Sequence, residues 1–101
     1  MIDFDEPIRD LTGKPVKLDD QLMTVGSCSL QALLHIFQNE DATPEIKVKR
    51  FKLALRISQT DQPIGLSADE VQTLKTPVGK YWNPLVVGRV YEAVDPESMR
   101  A

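Results

Sequence analysis

Cys28 and His35 are the first residues to test for chemistry, because a thiol and an imidazole can form a nucleophile and its base. They are the only cysteine and the only histidine in the chain. Both fall on one expected helix, seven residues apart. Two turns place them on one face but about 10 Å apart along the axis, whereas proton transfer needs roughly 3 Å. They are therefore not a dyad, and a buried or half-buried structural role is expected for each. One histidine and one cysteine also fall short of the ligand set that zinc requires. The acidic pairs Asp3/Asp5, Asp19-Asp20 and Asp69-Glu70 lack the loop spacing of a calcium site.

Gly79-Lys80 raises the question of a phosphate-binding loop. That motif needs a glycine five residues before the Gly-Lys pair and a Ser or Thr after it, and Leu74 and Tyr81 stand in those places. No catalytic residue, metal site or cofactor is expected, and the chain does not read as an enzyme.

What remains is contact chemistry. The segment Lys75–Val94 holds the only tryptophan and both tyrosines, with no acidic residue between 71 and 91. Upstream, Lys47, Lys49, Arg50, Lys52 and Arg56 follow one another with no acid after Glu45. On a helix, Lys49, Lys52 and Arg56 share a narrow stripe, Val48, Phe51 and Leu55 form one apolar face, and Ile46, Leu53 and Ile57 form a second. Two apolar faces imply a helix packed between other elements with its basic stripe at the rim. Tyr, Trp and Arg dominate interface hot spots. The candidate partner-binding surface is thus Lys49, Lys52 and Arg56 together with Lys80, Tyr81, Trp82 and Arg89. A protein with an acidic surface is the first expected partner. A nucleic acid on the basic face of residues 47–56 and 75–89 is the alternative, although nucleic-acid binders usually carry more net positive charge.

The elements that position these residues are legible from their ends. Residues 1–25 read as a β-hairpin region or short meander: Ile2 and Phe4 alternate with acids, and Val16 and Leu18 alternate with Lys17 and Asp19. Asp10-Leu-Thr-Gly13 suits a type I turn between them, and Pro7 marks an edge. Residues 27–94 read as helical. The first helix starts near Ser27 and carries Leu30, Leu33, Leu34 and Phe37, followed by a polar loop at Asn39-Glu-Asp-Ala42. The second opens on Thr43-Pro44-Glu45, a cap, a proline at the first turn and an acid facing the helix dipole, and runs to about Ser58. Phe51, Leu53, Leu55 and Ile57 also alternate as in a strand, but the helix formers around them favour helix. Ser67-Ala-Asp-Glu70 is a capping box for the third, which should stop or kink near Thr76 because Pro77 lacks an amide hydrogen. An eight-residue connection would then lead to Asn83-Pro84, which opens the fourth helix. Trp82 would staple its start, and Gly88 would admit a close neighbour. Residues 95–101 read as a flexible tail.

Composition agrees with a single mainly α, α+β domain over residues 1–101, an N-terminal β-hairpin packed on four short helices. The chain is 42% hydrophobic and 6% aromatic with a net charge of −3, in the range of ordinary globular proteins. That total hides an asymmetry. Residues 1–45 carry nine acidic and three basic side chains, and residues 46–91 carry three acidic and eight basic. Such a dipole sets up a local field that steers charged partners. No apolar run approaches the roughly 18 residues of a membrane span, the start lacks the features of a signal peptide, and a lone cysteine makes no internal disulfide. A cytoplasmic location without membrane contact is expected.

Lys47-Val-Lys-Arg-Phe-Lys-Leu-Ala-Leu-Arg-Ile57, Leu66-Ser-Ala-Asp-Glu-Val71 and Gly79-Lys-Tyr-Trp-Asn-Pro-Leu-Val-Val-Gly88 together resemble small uncharacterised proteins of tailed bacteriophages and prophages. Gly13-Lys-Pro-Val16 and Val25-Gly26 fit the same pattern, so the resemblance covers most of the chain. Thr76-Pro77 departs from the continuous helix that the resemblance implies there. The group brings no established catalytic residues. The resemblance implies a phage context, in the cytoplasm of the bacterial host, where small acidic proteins often act by binding another protein, as assembly factors or as modulators of a host protein.

Overall fold

The computed structural model describes residues 1–38, 40 and 42–99. Asn39 and Asp41 of the expected polar loop, and the last two residues of the expected tail, lie outside the described residues. The elements are strands β1 (Lys17–Leu18) and β2 (Gln21–Leu22), helices α1 (Val25–Leu33), α2 (Pro44–Ser58), α3 (Ala68–Tyr81) and α4 (Pro84–Val94), and a final 3₁₀ turn at Pro96–Met99. This is the expected mainly helical α+β fold with an N-terminal hairpin.

Three helices start where their local chemistry places them. Thr43 Oγ1 accepts the Ile46 amide at 3.3 Å, and Asn83 Oδ1 accepts that of Val86 at 3.0 Å. At α3 the box closes both ways: Ser67 Oγ accepts the Glu70 amide and Glu70 Oε1 accepts the Ser67 amide, at 3.1 and 2.9 Å. Each device satisfies amides that a helix end otherwise leaves open. A further box, not anticipated, starts α1 two residues before Ser27. Thr24 Oγ1 accepts the Ser27 amide and Ser27 Oγ accepts the Thr24 amide, both at 3.0 Å.

Two helix ends depart from expectation. α1 stops at Leu33, so His35 and Phe37 are not helical. The His35 amide donates back only three residues, to Ala32 O at 3.3 Å, which tightens and closes the last turn. In contrast, α3 runs through Pro77 to Tyr81. A proline inside a helix forfeits one backbone bond and costs about 3 kcal/mol. Here Pro77 is fully buried beside Leu74 and Val78, on the helix that touches α1, α2 and α4, and that burial offsets the loss. The supposed eight-residue connection shrinks to Trp82 and Asn83.

The N-terminal region keeps its turn, but the pairing across it is reduced to a single antiparallel bridge, Arg9 with Pro15. Asp10 O accepts the Gly13 amide at 3.1 Å, the Asp10 carboxylate takes the amides of Thr12 and Lys14, and Gly13 sits at φ 89°, where glycine is unstrained. The ladder forms later, with Lys17 opposite Leu22 and Leu18 opposite Gln21. Its turn residues Asp19 and Asp20 have φ of 52° and 63°, the left-handed pair that a tight hairpin needs and that Asp tolerates better than most. Upstream, the chain is held by single bridges. Ile2 pairs with Ile64, and Ile8, Met23 and Val16 close a ring in which each amide donates to the next carbonyl at 2.8–3.0 Å. Ile8, a member of that ring, is fully buried.

Glycines reverse one expectation. Gly88 has no close neighbour: a Cβ added there meets nothing within 4 Å. Gly26 is tight against backbone, because an added Cβ would lie 2.8 Å from the carbonyl oxygen of Phe4, which already accepts the Gly26 amide at 2.8 Å. Alanine should therefore act oppositely at the two sites. Gly88→Ala is expected to stabilise by about 0.5–1 kcal/mol and Gly26→Ala to destabilise by about 1–3 kcal/mol. Urea unfolding of both variants checks this, and equal signs would sink it.

The expected flexible tail begins with a pinned residue. Asp95 accepts from Lys75 Nζ at 2.9 Å, and that ammonium also sits over the Tyr91 ring. Among the described residues no helix is long and apolar enough to cross a membrane.

Candidate functional site

Lys49, Lys52, Arg56, Lys80, Tyr81, Trp82 and Arg89 do not form one surface. Lys49 and Arg56 face the start of α3, where Lys49 pairs with Asp69 at 3.4 Å and Arg56 with Glu70 at 2.6 Å. Arg56 also donates to Gly65 O. Glu70 thus caps α3 and ties it to α2. Its carboxyl is held below the usual range first by the Ser67 amide and then by Arg56. Lys52 lies exposed near them and has no ion pair among the described residues.

Arg89 sits elsewhere. Its guanidinium donates to the carbonyls of Arg9 and Asp10, each at 2.9 Å, and meets Glu92 at 3.1 Å. These bonds clamp the N-terminal turn to α4, which makes Arg89 a part of the fold. A further departure from the expected surface is Trp82, which is half-buried and donates its indole N–H to Cys28 O on α1 at 2.9 Å. The only described role for its ring nitrogen is therefore internal.

Tyr81 and Lys80 belong to a third cluster. His35 packs edge-on against both Phe37 and Tyr81, at 4.7 and 4.8 Å between ring centroids, and Tyr81 against Trp82 at 4.9 Å. Tyr81, expected on the partner-binding surface, thus packs against His35 and Trp82 of the same chain. His35 proves exposed, not buried, whereas Cys28 is fully buried as expected. Burial pushes the Cys28 thiol up to about 11, so it is inert at neutral pH.

Beneath this cluster lies a pair that the sequence did not reveal. Arg50 donates to both oxygens of Glu40, at 3.1 and 2.5 Å, with side chains 9% and 13% exposed. Lys80 reaches the same carboxylate at 3.4 Å. The Arg50 hydrogen bonds, with Lys80 adding to them, hold the Glu40 carboxyl down to about 2. This pair ties the 35–42 connection to α2.

The largest discrepancy lies on α2 itself. Leu53, Ala54, Ile57 and Arg50 face the core, but the other apolar face is open: Val48, Phe51 and Leu55 are 49%, 56% and 42% exposed. Beside this ridge stand Leu34 and Ile36, 60% and 85% exposed. Between them runs a groove of ≈ 270 Å³ lined by Leu33, Leu34, Ile36, Lys47, Arg50 and Phe51 among others. Both apolar faces were visible in the sequence, but both were expected to be covered. Lys47 and Lys52 on either side of the open face were the available sign that it faces water. Among the described residues no group of three or more His, Cys, Asp and Glu side chains is placed to hold a metal.

The chain is thus a mainly helical α+β domain with an open apolar ridge on its second helix. No protein-family model, curated protein or solved structure matches it.

Proposed function

We propose that this protein is a non-enzymatic binding module that takes up another protein on the exposed face of α2. The observation that carries this reading is the ridge Val48, Phe51 and Leu55, continued by Leu34 and Ile36. Contiguous apolar surface of this kind, rimmed by polar residues, marks interaction sites. A phage accessory role in the host cytoplasm, in assembly or in modulation of a host protein, rests on the sequence resemblance and belongs to the same proposal. Nucleic acid is the lesser reading, because Lys49, Arg50 and Arg56 already face carboxylates and are less free to neutralise phosphates.

The test places the photo-crosslinker p-benzoylphenylalanine at Phe51 and, as a control, at the exposed Gln72 of α3. Illumination of bacterial cells expressing each variant should give a discrete protein adduct from position 51 and not from 72. No adduct at 51, or the same adducts from both positions, overturns the reading.

A further inference from the structure

We infer that the segment docking on α2 is an acidic amphipathic helix, lying along the Val48–Phe51–Leu55 ridge with an apolar side chain in the groove beside Leu34 and Ile36. This deepens the binding reading above and rests on it. Two observations specify the occupant.

The first is the chemistry of the ridge. Its three side chains are spaced at i, i+3 and i+7, a stripe about 10 Å long on a helix. The backbone beneath them is already bonded within α2. An extended peptide laid over this face would find no backbone partner for its own N–H and C=O groups. A helix arrives with its backbone satisfied and offers only side chains, which is the helix-in-groove mode.

The second is charge. At 100° per residue, Lys47 falls on one flank of the ridge and Lys52 on the other. Neither has an ion pair among the described residues, unlike Lys49, Arg50 and Arg56, which meet Asp69, Glu40 and Glu70. All five charged side chains of α2 beyond Glu45 are basic. A partner helix with Glu or Asp flanking its apolar stripe meets opposite charge on both sides, and one with Lys or Arg meets like charge on both. The same feature disfavours a second copy of this chain. A two-fold pairing of α2 on itself about Phe51 brings Lys52 against its own counterpart, and like charges facing each other oppose association.

The probe is a set of three fluorescein-labelled amphipathic peptides sharing one leucine stripe at i, i+3, i+4 and i+7, with flanks of Glu, Gln or Lys. Fluorescence anisotropy at low salt should rank Glu above Gln above Lys, with on the order of tenfold between the extremes. Circular dichroism should show helix gained on mixing. Phe51→Ala should weaken the Glu peptide by on the order of tenfold with little change in melting temperature, because Phe51 is exposed. The double variant Lys47→Glu/Lys52→Glu should reverse the ranking in favour of the Lys peptide. Equal binding of the Glu and Lys peptides, an unreversed ranking in the double variant, or no binding by any peptide overturns the inference. The crosslinking at position 51 then separates the two readings: an adduct there keeps the binding module while removing the acidic helix, and its absence removes both. A dimer in sedimentation that Phe51→Asp dissolves assigns the ridge to a second copy, and random-sequence DNA that displaces the Glu peptide assigns it to nucleic acid. Either result overturns the inference.

Discussion

Leu74→Ala is expected to lower the free energy of unfolding by about 3–5 kcal/mol, the upper range for a large-to-small core substitution. Leu74 has no exposed surface and lies on α3, the helix in contact with α1, α2 and α4. Removing its branched end discards the transfer free energy of those atoms and leaves a cavity walled by several helices at once. A site gripped from several sides collapses poorly, which raises the cost. The neighbouring Pro77 and Val78 are also fully buried, and Pro77 stiffens this stretch of helix. Domains of this size have only about 5–15 kcal/mol of net stability, so the variant should unfold at markedly lower urea. Leu74→Met conserves volume and should cost less than about 1.5 kcal/mol. Equilibrium denaturation of the two variants measures the difference, and a loss below about 1 kcal/mol for Leu74→Ala would show that α3 is not the hub of the core.

Arg50→Ala should cost about 3 kcal/mol, at the low end for breaking a buried ion pair. The substitution strands Glu40 with a largely desolvated carboxylate, and only Lys80 at 3.4 Å remains near it. That residual cation keeps the loss from being larger. Replacing both members together, Arg50→Met with Glu40→Leu, removes the charges as a pair and should recover most of the loss. The same pair makes stability depend on acid. Glu40 is held from 4.5 down to about 2 in the folded state, first by its Arg50 hydrogen bonds. A depressed acid stabilises the fold above its unfolded value, and that contribution is lost as pH falls through the folded one. Stability should therefore decline between about pH 4.5 and pH 2, and the part due to this pair should vanish from the Glu40→Gln variant. Urea midpoints measured across that range decide it. An unchanged acid slope in Glu40→Gln would mean that other carboxylates govern the transition.

The sequence alone determined the helix starts at Thr43, Ser67 and Asn83, because a cap and the amide it satisfies lie within three residues of one another. The Asp10–Gly13 turn was legible for the same reason, and the burial expected for Cys28 is found. The α1 cap at Thr24 was equally local, but Ser27 stands in the box position more often held by Glu or Gln, and the expected start lay near Ser27 instead. Features that depend on what lies across the fold were decided only by the tertiary structure. Pro77 weakens an isolated helix, yet α3 continues because burial on several sides outweighs one lost hydrogen bond. Gly88 was expected to meet a close neighbour and does not, whereas Gly26 meets the Phe4 carbonyl, an approach that only the tertiary structure brings about. Glu40 appeared as one more polar loop residue until Arg50, ten positions later, came to face it. The candidate site divides in the same way. Periodicity located both apolar faces of α2, but periodicity does not count neighbours, and the packing of α1 and α3 supplied enough surface to cover only one of them. The face left open is the one on which the proposed partner would dock.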